Sequence, residues 1–174
     1  VNGAYSFDGS NDYIGIPYNS VLDMSSNNTL TISVWILGTD WSSDYQAVLA
    51  AYNSVSGNTT SYRLMVEDNT GKPYFFGAPT SEVSMKSPDP LSENTWYHIV
   101  VTCDGITNKL YVNNVLKVSS SQSSFNSLST ETNAIRIGES EGTNGDNFKG
   151  SIDDVRIYNY ALTPDQVEKL YLIN

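Results

Sequence analysis

Short stretches of alternating apolar and polar residues, separated by turn signals, recur along most of this sequence. They follow one another at intervals of roughly 8 to 15 residues, a spacing typical of antiparallel two-sheet proteins. The strongest are residues 29–37 and 96–103, and Asn113-Asn114 marks a hairpin within residues 109–118. The pattern predicts an all-β sandwich.

One helix is predicted near the end of the chain. Thr163 is a helix cap, Pro164 occupies the first helical position, and Gln166 closes a capping box. These signals predict a short helix over residues 164–170. Residues 78–94, which contain three prolines, are predicted to be irregular.

The length of the chain indicates one domain. A chain of 174 residues can bury a full core, and we find no internal repeat or domain boundary within residues 1–174. Since the sequence starts at Val1 without a Met, we expect a domain cut from a longer protein, with other domains of that parent as partners.

The charge balance excludes some partners. Nineteen acids against nine bases give a net charge of −10, which argues against nucleic acids and anionic membrane surfaces. No apolar run approaches the roughly 20 residues that a membrane-spanning helix needs. The balance is compatible with divalent cations and neutral glycans, or with nothing more than a soluble acidic surface.

Two acidic residues share the parity of apolar strand residues. Asp153 has the same parity as Val155 and Ile157, and Asp12 has the same parity as Ile14 and Ile16. A regular strand would turn both carboxylates inward, which is costly unless they are paired, hydrogen-bonded or bound to a metal. The pair suggests a cation.

Five segments carry a family resemblance. They are FDGSNDY (7–13), LTISVW (30–35), WYHIVVTCDG (96–105), LYVNN (110–114) and FKGSIDDVRIYNYAL (148–162). In this order the chain resembles the laminin-G-like, concanavalin A-like jelly-roll superfamily, in particular the bacterial-type branch attached to glycan-processing enzymes and adhesins. The resemblance implies an antiparallel jelly-roll sandwich. The fold serves lectins, glycan-binding modules, adhesion domains and glycosidases, so it does not assign a function.

The resemblance also implies a calcium ion near the chain ends. Asp12 and Asp153 match positions assigned to that site, and main-chain oxygens around Asn2 and Gly3 would complete it. Calcium takes six to eight oxygen ligands, which a turn and two strand ends can supply. The alternative is that both acids accept backbone N–H groups or pair with a nearby basic side chain.

Catalysis is not favoured by the sequence. Hydrolases of the family that use two carboxylates commonly place them as Glu-x-Asp-x-x-Glu on one strand, a run that this chain lacks. Glu139 and Glu141 lie close in a Gly-rich loop and are interpreted as solvated acids, with a catalytic pair as the alternative. His98 and Cys103 lie within a strand and are interpreted as structural.

Aromatic residues in loops point to glycan binding. Trp41 lies in a polar loop with Asp40, Asp44 and Tyr45, where it could form a stacking platform with polar arms for sugar hydroxyls. The alternative is that Trp41 folds back over the sheet edge. Further ligand-binding candidates are Tyr52, Asn53, Glu139, Asn144 and Asp146.

The leading hypothesis is a non-catalytic carbohydrate-binding module, stabilised by calcium, from an extracellular or cell-surface protein. It would bind a polysaccharide or another glycan, at either the acidic loops or the concave sheet face. The alternatives are a protein–protein adhesion domain of the same fold and a glycoside hydrolase or lyase.

Overall fold

The computed structural model describes residues 3–42, 45–53, 59–77, 84–121, 134–140 and 146–173. Within them the chain forms twelve strands and one α-helix. The strands are β1 (Tyr5–Asp8), β2 (Ile14–Ile16), β3 (Thr29–Gly38), β4 (Gln46–Asn53), β5 (Thr59–Val66), β6 (Pro73–Gly77), β7 (Ser84–Lys86), β8 (Tyr97–Asp104), β9 (Thr107–Val112), β10 (Val115–Ser121), β11 (Ile135–Ile137) and β12 (Lys149–Tyr158), and the helix is α1 (Pro164–Leu172).

The strands form two six-stranded antiparallel sheets. Sheet A has the order β1-β12-β3-β8-β9-β10, and sheet B has the order β2-β11-β4-β5-β6-β7. Half of the neighbouring strand pairs, such as β1–β12, β12–β3 and β2–β11, join strands that are distant in sequence. The topology is therefore a sandwich with long crossovers, as in a jelly roll. The all-β sandwich and the antiparallel jelly-roll architecture are confirmed.

The core lies between the two sheets. Leu30, Ile32, Val34 and Ile36 alternate along β3 and are each at most 1% exposed, as their parity in the sequence predicts. Buried residues from both sheets join them in one apolar cluster, whose burial is the largest favourable contribution to folding.

Helix α1 covers the outer face of sheet A. Thr163 and Gln166 form the predicted capping box, and the helix extends two residues beyond the predicted end. Val167 and Leu170 of α1 pack with Val100 in a second, smaller apolar cluster. The part of this face around Val100 is therefore covered by the protein itself.

Strand β12 contains a bulge that its sequence parity does not anticipate. The register with β3 shifts between Asp153 and Arg156, and Asp154 has a φ of 48°. Ile152 and Val155 both pack into the core, so one extra residue is accommodated between two inward positions. Ile152 is paired with the core residue Ile36, whereas Asp153 is paired with Trp35, which faces α1. Asp153 therefore lies on the outer face, and its predicted inward orientation is wrong.

The predicted inward orientation of the second acid, Asp12, is also wrong. It precedes β2, is exposed, and accepts the N–H of Asp8 at 2.9 Å. The carboxylate of Asp8 in turn accepts the N–H of Ser10 at 2.7 Å. Both carboxylates stabilise the turn between β1 and β2.

The region predicted to be irregular, residues 78–94, contains the short strand β7, which pairs with β6. Its three residues are too few to give a clear alternating pattern.

Among the described residues, no helix is long and apolar enough to cross a membrane.

His98 lies in a stack of three rings beneath α1. The ring centroids of Trp35 and His98 are 5.2 Å apart, and those of Trp35 and Tyr171 are 5.8 Å apart. The His98 side chain is fully buried, and Nε2 lies 2.8 Å from Ser33 Oγ. Burial lowers the pKa of His98 to about 4, because the imidazolium would lose its hydration.

This shift predicts acid sensitivity. The unfolded state, with a His pKa of about 6.5, binds more protons than the folded state between roughly pH 6.5 and 4. The free energy of unfolding should therefore fall by on the order of 3 kcal/mol as the pH drops through that range. Denaturant melts of the wild type and of His98→Gln at several pH values check this. An equal pH dependence in the two proteins would contradict it.

Candidate functional site

The outer face of sheet B carries the polar and aromatic residues of interest. In β5, Tyr62, Leu64 and Val66 are buried in the core, so the intervening Arg63 and Met65 face outward. The chain has only three arginines, and two of them, Arg63 and Arg136, occupy this face. The pairing of β11, β4 and β5 puts these two at one level of the sheet.

Arg136 belongs to a packed cluster with two tyrosines and one acid. Its guanidinium carbon lies 4.6 Å from the ring centroid of Tyr13 and 5.9 Å from that of Tyr52. Nη1 bonds Glu139 Oε2 at 2.6 Å, and the Arg136 side chain is 13% exposed. The cation–π contacts and the ion pair hold this cluster rigidly.

A cleft of about 310 Å³ opens on the same face. Its volume is at the lower end of the range for small-ligand sites. It is lined by Tyr45, Arg63, Met65, Tyr74, Phe76 and Asp146.

Three aromatic rings follow one another along the cleft. The centroids of Tyr45 and Tyr74 are 6.2 Å apart, and those of Tyr74 and Phe76 are 6.5 Å apart. Tyr45 is 39% exposed, and the other two rings are partly exposed. The guanidinium carbon of Arg63 lies 5.4 Å from the centroid of Phe76. A flat apolar ligand face could stack here.

An ion pair borders these rings. Lys86 Nζ bonds Glu67 Oε1 and lies 5.9 Å from the ring centroid of Tyr74. Glu67 also accepts the hydroxyl of Thr70. The hydrogen bond from Lys86 is the main cause of a lowered pKa at Glu67, so this carboxylate is ionised at neutral pH.

Arg63 and Asp146 are the polar groups of the cleft. Arg63 Nη1 lies 3.9 Å from Asp146 Oδ2 and 3.4 Å from Ser140 Oγ. The two charged side chains are 28% and 20% exposed. They provide hydrogen-bond donors and acceptors side by side in the cleft.

Trp41 is not an exposed platform. It is 7% exposed, belongs to the main core cluster and contacts Phe148 at a centroid distance of 6.2 Å. Its indole fills the space beside Gly38 and Gly71, where a Cβ would clash with it. The expectation of a stacking surface at Trp41 is wrong, and the alternative, that Trp41 folds back over the sheet, is observed.

Asp40 stabilises the segment that buries Trp41. Its carboxylate accepts the hydroxyl and N–H of Ser42 and pairs with Lys149 at 2.9 Å. The hydrogen bonds from Ser42 and Lys149 hold the pKa of Asp40 far below its ordinary value. Ser42 and Lys149 thus engage the Asp40 carboxylate within the protein, and a ligand contact of Asp40 stays a prediction.

The other predicted ligand-binding residues fall into two groups. Tyr45 and Asp146 line the cleft, and Tyr52 and Glu139 belong to the Arg136 cluster. Asn53 ends β4, but its side chain lies outside what the structure describes. Asp44 and Asn144 lie outside the described residues.

Four residues of this face were not predicted from the sequence: Arg63, Tyr74, Phe76 and Arg136. A sequence signal exists for Arg63, because it lies between the apolar residues Tyr62 and Leu64. Alternation alone does not predict which of the two outer sheet faces is exposed to solvent, because this depends on the sheet against which α1 packs.

The predicted metal residues are not brought together by the described structure. Asp12 bonds the backbone of Asp8, which pairs with Lys149, four positions before Asp153. Asp12 therefore lies beside the β1 end that pairs with Lys149, and Asp153 lies beyond the other end of the pairing, next to Ile152. Asp153 accepts the N–H of Asp154 at 2.7 Å. Both acids thus accept backbone N–H groups, the alternative that the sequence left open.

The described residues contain no group of three or more His, Cys, Asp or Glu side chains placed to hold a metal ion. Gly3 has a φ of 102° at the start of the described chain, and Asn2 lies outside it. Calcium at these residues stays a prediction.

Several solved structures share the fold. Domain 4 of AbnA, a GH43 extracellular arabinanase from Geobacillus stearothermophilus, in complex with arabinotriose, is 24% identical with a TM-score of 0.70, and the match covers 97% of this chain and 76% of that one. The CBM40 of the Ruminococcus gnavus IT-sialidase, bound to α2,3-sialyllactose, is 19% identical with a TM-score of 0.68, covering 93% and 97%. The heptameric SAP-like pentraxin of Limulus polyphemus is 14% identical with a TM-score of 0.68, covering 95% and 80%.

Sequence comparison adds the family. No curated protein matches the chain, but the Laminin_G_3 family model, described as the concanavalin A-like lectin/glucanases superfamily, matches residues 8–168. That match spans nearly the whole chain and agrees with the sandwich topology. The chain therefore belongs to the Laminin_G_3 family of the concanavalin A-like lectin/glucanases superfamily.

Proposed function

We propose that this chain is a non-catalytic carbohydrate-binding module that holds a glycan in the cleft on the outer face of sheet B. The observation that carries the proposal is the row of Tyr45, Tyr74 and Phe76 beside the Arg63–Asp146 pair. Sugar rings have apolar C–H faces that stack on aromatic side chains and hydroxyl edges that need donors and acceptors. The cleft offers both on adjacent walls.

The likeness to solved structures supports this reading at the level of the fold. Two of the similar structures are bound to sugars, arabinotriose in one and sialyllactose in the other. We further propose that the parent protein is extracellular or surface-exposed and that the module keeps it near a polysaccharide. A protein–protein adhesion domain of the same fold is the competing function, and it predicts no response to free sugars.

Tyr45→Ala should weaken glycan binding about tenfold, equivalent to about 1.4 kcal/mol, because it removes the most exposed ring of the cleft. The melting temperature should change little, since the side chain is 39% exposed. Titration calorimetry with a panel of neutral and acidic oligosaccharides measures this.

The matched control is Tyr5→Ala, which removes a more exposed tyrosine, 66% accessible, from β1 in sheet A. It should leave binding unchanged. Equal losses in both variants would remove the cleft from the proposal, and no binding by any panel member would favour the adhesion function.

Calcium is the remaining part of the proposal, and it rests on the family resemblance. If an ion is held at Asp153, calcium should raise the melting temperature of the wild type, and Asp153→Ala should abolish that rise. At 100 times its dissociation constant calcium adds about 2.7 kcal/mol, a shift of several degrees. Thermal melts with calcium and with chelator test this. If Asp153→Ala lowers the melting temperature equally with calcium and with chelator, Asp153 stabilises the fold only through its hydrogen bond with Asp154.

A further inference from the structure

The contact between Arg63 and Asp146 is longer than the Arg136–Glu139 ion pair on the same face. Its closest atoms are 3.9 Å apart, whereas Arg136 and Glu139 approach to 2.6 Å. Among the described residues, the one hydrogen bond of Arg63 is the 3.4 Å contact with Ser140, and its buried Nε has no partner. Phe76 thus holds the Arg63 side chain in place, and most N–H groups of the guanidinium make no hydrogen bond within the described residues.

The two groups together complement a pair of neighbouring hydroxyls. A guanidinium presents several N–H donors in a planar fork, and a carboxylate presents about four acceptor positions. Each hydroxyl of a vicinal diol can accept from Arg63 and donate to Asp146. A carboxylate ligand can use Arg63 but has no proton for Asp146.

The charges of the face also disfavour an acidic ligand. The three cations described there, Arg63, Arg136 and Lys86, are each paired with a carboxylate. A ligand carboxylate bound to Arg63 would therefore lie beside the charge of Asp146. The net charge of −10 on the whole chain would add long-range repulsion of a polyanion.

We propose that the cleft selects a neutral sugar unit, whose vicinal hydroxyls are held jointly by Arg63 and Asp146 while its apolar face packs on Tyr45 and Tyr74. This selectivity rests on the proposed glycan-binding function and names its substrate class. The similar structures do not indicate whether the sugar is neutral or acidic, because one is bound to arabinotriose and another to sialyllactose. The proposed selectivity answers that question for this cleft.

The test compares matched neutral and acidic ligands by titration calorimetry. The pairs are lactose against sialyllactose and oligogalactose against oligogalacturonate, with arabinotriose and xylotriose as further neutral probes. We expect measurable binding of at least one neutral probe, little dependence on salt, and no gain from an added carboxylate. Binding of the acidic member at least tenfold tighter than its neutral partner, weakening as salt rises, would overturn the selectivity.

Variants test the joint contact for the neutral probe that binds best. Arg63→Met and Asp146→Asn should each weaken its binding about tenfold, and the double variant should lose less than the sum of the two. Arg63→Lys, which keeps the charge but not the planar fork, should recover only part of the affinity. Additive losses would overturn the joint contact.

The control is the ion pair of Lys117 and Asp89, which does not line the cleft. Its Nζ and Oδ2 atoms are 2.9 Å apart. Lys117→Met and Asp89→Asn should leave binding unchanged, and melting temperatures identify any cleft variant that is misfolded. Failure of every probe to bind would contradict the proposed function itself, whereas tighter binding of acidic probes would contradict only the selectivity.

Discussion

The apolar contact between the inner faces of the two sheets determines how the rest of the molecule is arranged. Alternate residues of β3, β5 and β8 are buried in it, so the residues between them must face outward. On sheet A those outward positions lie under α1, which buries His98 and Val100. On sheet B the outward positions include Arg63 and Met65, which line the cleft.

The cleft is therefore a consequence of unequal covering. Helix α1 adds a third layer on part of sheet A, where Tyr171 stacks on Trp35. The cleft of sheet B combines accessible rings with charges that are already balanced by neighbouring groups. An acidic protein can in this way present a locally neutral surface, which suits an uncharged sugar better than a polyanion.

Much of the fold could be predicted from the sequence because alternation and capping are local signals. The strand around Ile32 and the cap at Thr163 are examples. Parity failed at Asp153, because a bulge shifts the register and no sequence signal marked it. The polar neighbours of Trp41 suggested exposure, but the indole is buried beside Gly38, a contact made only in the folded chain. The cleft could be anticipated only in part, since Tyr45 and Asp146 come together through the packing of distant segments.

The central claim is that glycan contacts this outer face of sheet B, and amide chemical-shift mapping by NMR tests it most directly. A titration with the neutral oligosaccharide of highest affinity should shift resonances of β5, β6 and the segment around Asp146. Residues of β9 and α1 should be unaffected. Shifts confined to sheet A or to the hairpin of β9 and β10 would contradict the account, because they would locate the ligand on a surface that this cleft does not reach.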